Sequence, residues 1–370
     1  MMTPSVSDLF QPQVPLAPLT TLGVGGEARF FLDASTEEQI EGALDWAEKH
    51  GVSVTILGGG SNMLVCDGGV DGLVIRVRLR GIEEREAPGD PARVLCQVGA
   101  GEEFDRFVVH SIESGYGGLE CLSGIPGYIG ATPVQNVGAY GQEISDTVVA
   151  VRVMDRTTRR TEMFDNAACR FSYRSSMFKE QERDRYVILG VDFVLTPGGA
   201  PRVRYPEITR ELSLRGGDPN SLADVRAVVL AVRRSKSMVI DDADPNHRSA
   251  GSFFVNPVVS AELANEIEAR ARALAFESQP MPRYPVGERI KLSAAWLIER
   301  AGFTKGTIEG AVGISTRHAL AIINRGGATA ADILGFARRV RDAVDGAFGV
   351  KLAAEPVLVG FAAEQAASLR

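Results

Sequence analysis

The glycines at positions 58, 59 and 60, followed by Ser61 and Asn62, are the first residues in the chain whose type and spacing suggest a chemical use. A backbone without Cβ atoms reaches φ values that other residues avoid, and it can turn successive N–H groups to one side. Such a concavity holds anions, phosphate above all, while a flexible surface turn is the plain alternative. A second glycine-rich stretch covers residues 115–141, where eight of 27 positions are glycine. Its centre, Ser123-Gly124-Ile125-Pro126-Gly127-Tyr128-Ile129-Gly130-Ala131, interleaves apolar side chains with bare backbone. That density lets backbone lie flush against a flat ligand or a phosphate chain, and the interleaved Ile125, Tyr128, Ile129 and Val134 fit a long surface loop poorly.

Four further positions carry groups able to bind or protonate a substrate, each with an ordinary alternative. Arg174 follows Tyr173 in an aromatic and basic run, 171–179, that has no clean period. Ser252 lies in Ser249-Ala250-Gly251-Ser252-Phe253-Phe254-Val255-Asn256-Pro257, where its neighbourhood alone reads as a turn hydroxyl. Lys236 closes a cationic helical turn, a place that suits the helix dipole. Glu355, at the mouth of the apolar run 357–359, is equally an exposed end residue or a placed acid.

The secondary structure around these groups is legible in the periodicity. Ser35 reads as an N-cap with Glu38 as its capping-box partner; Ile40, Ala43, Leu44 and Ala47 share one helix face, and Gly51 lies beyond its end. The apolar run 52–57 then enters the glycines as a strand, and 72–75 closes a compact β/α unit. Polar residues 85–93, with Pro88-Gly89 and Pro91, mark a boundary or an exposed hairpin. Residues 94–98 read as a strand, and Phe104, Phe107 and Val108 as the buried stripe of a helix ending near Gly115. A hairpin is expected from 148–154 and 161–164, and a buried strand over 186–195. Residues 203–207 form a short excursion with an exposed-looking Tyr205. Ser221 and Asp224 cap a helix whose stripe is Val225, Val228, Val229 and Val232. A last domain begins just before the loop 241–248. It holds a helix over 261–274 capped by Ser260, another around Trp296 and Leu297, a strand over 318–324, and a helix containing Thr329, Asp332, Ile333, Phe336, Ala337 and Val340.

Composition narrows the class. A chain of 370 residues exceeds what one core usually organises, so two or three domains are expected. A formal charge of −7 argues against broad nucleic-acid or anionic-membrane binding. No run approaches the ~18 apolar residues of a membrane span. Met1-Met2-Thr3-Pro4-Ser5 shows neither a cationic nor an apolar leader, so a cytoplasmic protein is expected. Cys66, Cys96, Cys121 and Cys169 have no C-x-x-C spacing and no paired histidines. No metal site and no disulfide framework are expected, and the cysteines read as reduced, mostly buried thiols.

In combination the motifs closely resemble the UDP-N-acetylenolpyruvoylglucosamine reductase (UDP-N-acetylmuramate dehydrogenase) family. They are the turn at 21–26, residues 58–62, the 124–141 segment, Tyr173-Arg174, the run 251–257 and Glu355-Pro356, all in family order across residues 19–360. The resemblance implies an α+β protein: a two-subdomain FAD-binding region of the PCMH (vanillyl-alcohol-oxidase-like) type, 18–80 and 81–235, and a C-terminal α+β substrate-binding domain, 236–360, whose final strand packs back on the flavin region. The absence of a G-x-G-x-x-G opening a helix agrees with this. A helix and loop between residues 281 and 289 match the family without being diagnostic.

The implied reaction reduces an enolpyruvyl ether of UDP-N-acetylglucosamine to the lactyl ether at the expense of NADPH, through noncovalent FAD, in peptidoglycan precursor synthesis. Gly58, Gly59, Gly60, Ser61 and Asn62 match the pyrophosphate loop. Ile125, Pro126, Gly127, Gly130, Ala131, Gly138, Ala139 and Tyr140 belong to the second flavin segment. Arg174 and Glu355 match the residues that hold and polarise the substrate carboxylate, and Ser252 the proton donor. Tyr173, Tyr205, Lys236, Asn256 and His318 match substrate contacts; for His318 a satisfied strand-end histidine is an equal reading. Tyr205 suggests the family branch whose tyrosine-bearing loop closes over substrate. The implied partners are small molecules alone, with no nucleic acid, no membrane insertion and no obligate protein partner. An alcohol or sugar oxidase on the same scaffold is the rival enzyme, disfavoured by the lack of a histidine or cysteine placed for covalent flavin. A nucleotide-sugar binding protein without chemistry is disfavoured by Arg174, Ser252 and Glu355 together.

Overall fold

The computed structural model describes residues 6–273 and 280–369. They form two compact units, one from residues 6–14, 28–60 and 71–239, the other from 15–27, 61–70 and 240–369. Among the described residues no helix is long and apolar enough to cross a membrane.

The first unit is built on two sheets. In the smaller, strand Val54–Leu57 pairs in parallel with Val70–Val77, and Glu27–Ala34 and Gln11–Pro15 follow outward. Helix α1 (Glu37–His50) supplies the crossover and buries Ile40, Ala43, Leu44 and Ala47, the face expected from their spacing. Its cap lies one residue later than expected. Thr36, not Ser35, is the N-cap, and Gln39, not Glu38, completes the box, because the Gln39 amide oxygen reaches the N–H groups of both Ser35 and Thr36. Gly51 ends the helix with a φ of 62°, the left-handed conformation glycine adopts at least cost.

The larger sheet is antiparallel, and its centre is the strand Tyr186–Pro197. Residues 187–195 of it are buried without interruption, the pattern of a strand covered on both faces. Val148–Asp155 and Asp90–Gly99 flank it. Residues 85–93 make the hairpin between Ile82–Ala87 and Asp90–Gly99, inside this unit. Helix α2 (Phe104–Glu113) lays Phe104, Phe107 and Val108 into the same core, with Phe107 and Phe193 rings 4.9 Å apart. Two helices follow the sheet, α3 (Pro206–Arg215) and α4 (Leu222–Ser235), the latter capped by the Ser221 hydroxyl on the Asp224 N–H.

The second unit packs helices α5 (Ala261–Ala273), α6 (Ala294–Arg300) and α7 (Ala330–Phe348) with two three-stranded sheets. The Ser260 hydroxyl caps α5 as expected; Leu274 lies outside the described residues. Two chain segments far away in sequence join this core through Leu22, Val24 and Leu64. Asp67 accepts the Ala330 and Ala331 N–H groups at 2.6 and 2.9 Å, adding a second carboxylate to the Thr329–Asp332 capping box of α7. Strand Val357–Val359 pairs in parallel with Met63–Val65. Two expectations change here. Residues 283–292 form a hairpin, Arg283–Val286 with Arg289–Leu292, where a helix and loop were expected. The strand expected over 318–324 is only Ile322–Asn324, because 318–321 turn through an Ala321 N–H bond to the His318 carbonyl.

Candidate active site

In the first unit, strand Val54–Leu57 delivers Gly58, Gly59 and Gly60 against the second glycine segment. A Cβ on Gly59 would stand 2.7 Å from the Gly127 Cα and 3.2 Å from the Tyr128 nitrogen, whereas one on Gly58 would meet Ala131 at an ordinary 3.5 Å. The two backbones touch because neither carries a side chain there. Three backbone bonds of 2.9 Å hold the opposing wall, from Phe104 to Gly127, Ile129 to Glu102 and Gly130 to Ala100. Arg78 donates to the Tyr128 hydroxyl at 2.5 Å. Gly124 donates its N–H to Asp105 on α2, whose two oxygens also take the Arg226 fork from α4 at 2.7 and 2.8 Å. Burial opposes charge on Asp105, yet the Arg226 fork and the Gly124 N–H outweigh it and hold the carboxyl below the usual range.

Gly138, Ala139 and Tyr140 belong to a tight hairpin, Gly138–Ala139 against Gln142–Glu143. Tyr140 and Gly141 have φ of 50° and 81°, as a two-residue type I′ turn requires. This hairpin receives Arg174: Nη2 donates to the Gly138 carbonyl at 2.9 Å, and the guanidinium lies 5.6 Å from the centre of the Tyr173 ring. Arg174 sits at φ 54° in a turn closed by reciprocal backbone bonds between Ser172 and Ser175. The Lys179 ammonium donates to the Arg174 carbonyl at 2.9 Å.

Tyr205 precedes α3, so residues 203–207 are not an isolated excursion; they lead into a helix that begins with Pro206. Its half-exposed ring meets Tyr140 edge-on at 5.6 Å. Lys236, immediately after α4, lies 5.6 Å from the centre of the Tyr140 ring and donates to Glu207 at 2.6 Å. Burial, opposed by Arg233 and reinforced by Glu207 and Tyr205, pushes the Tyr140 phenol up to about 12. Tyr140, Tyr205 and Lys236 thus stand together. Glu207 is the member of this group that sequence reasoning missed. The signal was present in Pro206-Glu207, a proline at the first helical position followed by an acid in the first turn.

In the second unit, residues 252–256 run antiparallel to 353–355. Val255 donates to the Ala353 carbonyl at 3.0 Å, and Glu355 to the Phe253 carbonyl at 2.9 Å. Ser252 and Glu355 therefore lie at the same end of this crossing. Asn62 joins them: its amide donates to the Glu355 carbonyl at 3.2 Å, and its own carbonyl accepts the Val357 N–H. The Ser61 carbonyl takes the Thr21 hydroxyl at 3.2 Å. Asn256 uses its side-chain oxygen to accept the Ala294 N–H at the start of α6, 2.9 Å away. His318 lies in the turn before Ile322–Asn324, where Nδ1 accepts the Leu320 N–H at 3.1 Å; Leu320 in turn accepts the Phe253 N–H.

Residues 28–163 match the family described as FAD binding domain. With the sheets above, that places the protein in the vanillyl-alcohol-oxidase-like (PCMH) class of FAD-binding proteins. Residues 244–359 match the C-terminal domain of UDP-N-acetylenolpyruvoylglucosamine reductase. The chain is 52% identical over 355 residues to the UDP-N-acetylenolpyruvoylglucosamine reductase of Thermobifida fusca, covering 95% of this chain and 98% of that one. It is 47% identical over 349 residues to that of Saccharopolyspora erythraea, covering 93% and 94%. The crystal structure of the Thermus caldophilus enzyme matches with a TM-score of 0.65 at 25% identity, covering 95% and 99%. The chain belongs to the UDP-N-acetylenolpyruvoylglucosamine reductase family, flavin oxidoreductases of peptidoglycan precursor synthesis.

Proposed function

We propose that the protein reduces the enolpyruvyl ether of UDP-N-acetylglucosamine to UDP-N-acetylmuramate, using NADPH and noncovalent FAD, in the cytoplasm. The observation that carries this reading is the likeness, over 95% of the chain, to a reductase named for this substrate. The glycine cradle supports the cofactor: the approach of Gly59 to Gly127 leaves no room for a Cβ, and bare backbone of this kind suits a pyrophosphate and a flat ring. Residues 58–62 would hold the pyrophosphate, and residues of 125–131 and 138–140 the ring. On this reading residues 18–80 and 81–235 serve the flavin and 236–360 the substrate. When bound, FAD would supply the hydride chemistry, taking hydride from NADPH and giving it to the terminal alkene carbon of the substrate.

Addition at that carbon leaves negative charge on its neighbour, which bears the carboxylate. The protein must therefore hold a carboxylate and supply one proton. Arg174 is the fixed cation for the carboxylate. Glu355 assists when it carries or shares a proton, since only the protonated acid can donate. Ser252 Oγ gives its proton to the carbon bearing the carboxylate; a hydroxyl is a weak acid, so nearby donors must stabilise the alkoxide that remains. Lys236 exchanges its Glu207 partner for the diphosphate of the UDP group. Tyr173, Asn256 and His318 complete the contacts, and Tyr205 closes over bound substrate, the mark of the tyrosine-loop branch.

The test is an anaerobic two-step reaction of the Ser252→Ala variant. Bleaching by NADPH is expected to proceed at its normal rate, and recovery of colour with the enolpyruvyl UDP-sugar to slow by about 10²–10⁴. Equal slowing of both steps would remove Ser252 from the proton transfer.

A further inference from the structure

Arg174 carries a backbone conformation that a bulky residue rarely adopts, with a φ of 54°, so something must impose it. The turn around it closes through two backbone bonds, Ser172 N–H to the Ser175 carbonyl at 3.0 Å and the reverse at 3.1 Å. Behind this turn lies Asn136, fully buried, with a φ of 45° of its own. Its amide nitrogen donates to the Ser172 carbonyl at 3.2 Å and to the Glu143 carboxylate at 2.7 Å, and its amide oxygen accepts the Ser145 N–H at 3.2 Å. Both donors and the acceptor are used, and they tie Asn136 to two other stretches of chain, 143–145 and the turn at 172.

Those two stretches fix opposite ends of Arg174. Ser172 anchors the turn that carries its backbone. Glu143 is the cross-strand partner of Gly138, and the Gly138 carbonyl receives the guanidinium at 2.9 Å. One side chain therefore sets both the origin of Arg174 and the surface on which its charged end rests. The chemistry demands asparagine. An aspartate has no N–H for either bond and would face the Glu143 carboxylate, and an alanine leaves the Ser172 and Glu143 oxygens without these donors.

We propose that Asn136 is a positioning residue for Arg174, directing the guanidinium toward the substrate carboxylate. This rests on the reading of Arg174 given above. The test uses full-length protein loaded with FAD. In Asn136→Ala, bleaching by NADPH should stay within about twofold of normal, while recovery of colour with the UDP-sugar slows by about tenfold or more. Introduced into Arg174→Ala, the same change should cost less than about twofold, because residues acting as one unit are not additive. Equal slowing in both backgrounds, or equal slowing of both steps, would overturn the proposal. Asn136→Asp, which keeps the acceptor for Ser145 but loses both donors and sets a second carboxylate against Glu143, should reproduce the effect; normal recovery in that variant would also overturn it.

A second readout does not depend on turnover. In protein labelled with 15N-arginine, the Arg174 Nε–H resonance, assigned from its loss in Arg174→Lys, should shift or broaden in Asn136→Ala; an unmoved resonance overturns the proposal. If Arg174→Ala itself recovers colour normally, the reading of Arg174 falls, and the resonance still decides whether Asn136 positions it.

Discussion

Gly59→Ala is the sharpest perturbation of the cradle. The added Cβ would stand 2.7 Å from the Gly127 Cα and 3.0 Å from its carbonyl carbon, whereas carbon atoms rest about 3.5–4.0 Å apart. The two backbones must separate by roughly 0.8 Å or more. Both are backbone, and the opposing one is tied to α2 and its approach by the bonds of Phe104 and Ile129, so neither yields by a rotamer change. Overpacking of this kind costs about 1–3 kcal/mol, and the upper end applies to a clash with no flexible partner. If that cost falls on the flavin-bound form, affinity for FAD drops by about two powers of ten. Gly346→Ala, within α7 and outside the flavin segments, is the internal control, since its Cβ would have nothing within 4 Å. The assay is titration of flavin-stripped protein with FAD, followed by fluorescence, with thermal melting of the stripped forms alongside. Normal affinity in Gly59→Ala, or equal loss in both variants, would refute the assignment of this close approach to flavin binding.

Two further outcomes follow from the same geometry. Tyr205→Ala removes the edge contact with Tyr140, about 1 kcal/mol, and should raise the Michaelis constant for the UDP-sugar several-fold with bleaching by NADPH unchanged; unaltered affinity removes the closing role. Asp105→Asn should destabilise the protein in denaturant at neutral pH by about 1 kcal/mol, a value kept small because Asp105 is 36% exposed. Because the folded carboxyl titrates below its usual range, this stabilisation is present above the unfolded value of about 3.9 and is lost as pH falls through the folded one. The deficit should therefore shrink in acid, and an equal deficit at both pH values contradicts the ion-pair account.

Much of the scaffold was legible because periodic burial and capping are local. The faces of α1, α2 and α4 and the buried strand Tyr186–Pro197 follow directly from spacing. Where the reading slipped, two local solutions competed or the signal was sparse. Ser35 and Thr36 are both competent caps, and the reach of Gln39 decides between them. Helix α3 buries only Ile208 and Leu212, too few to announce a period, so only its proline start and glycine end could have revealed it. The left-handed backbone of Arg174 is imposed by the turn and hairpin around it, and nothing in residues 171–179 encodes that. The joining of residues 15–27 and 61–70 to the C-terminal third depends on contacts between distant segments. The roles proposed for Ser252 and Glu355 rest on resemblance, since a turn hydroxyl and a strand-end acid announce no chemistry by themselves.

The proposed spending of NADPH on an enolpyruvyl UDP-sugar is visible in a single turnover. Protein bleached by one equivalent of NADPH under strict exclusion of oxygen is mixed with that sugar, and colour and product are followed together. Colour should return within a single turnover with UDP-N-acetylmuramate formed in equal amount. Colour returning only when oxygen is admitted, with the sugar recovered unchanged, would contradict the account.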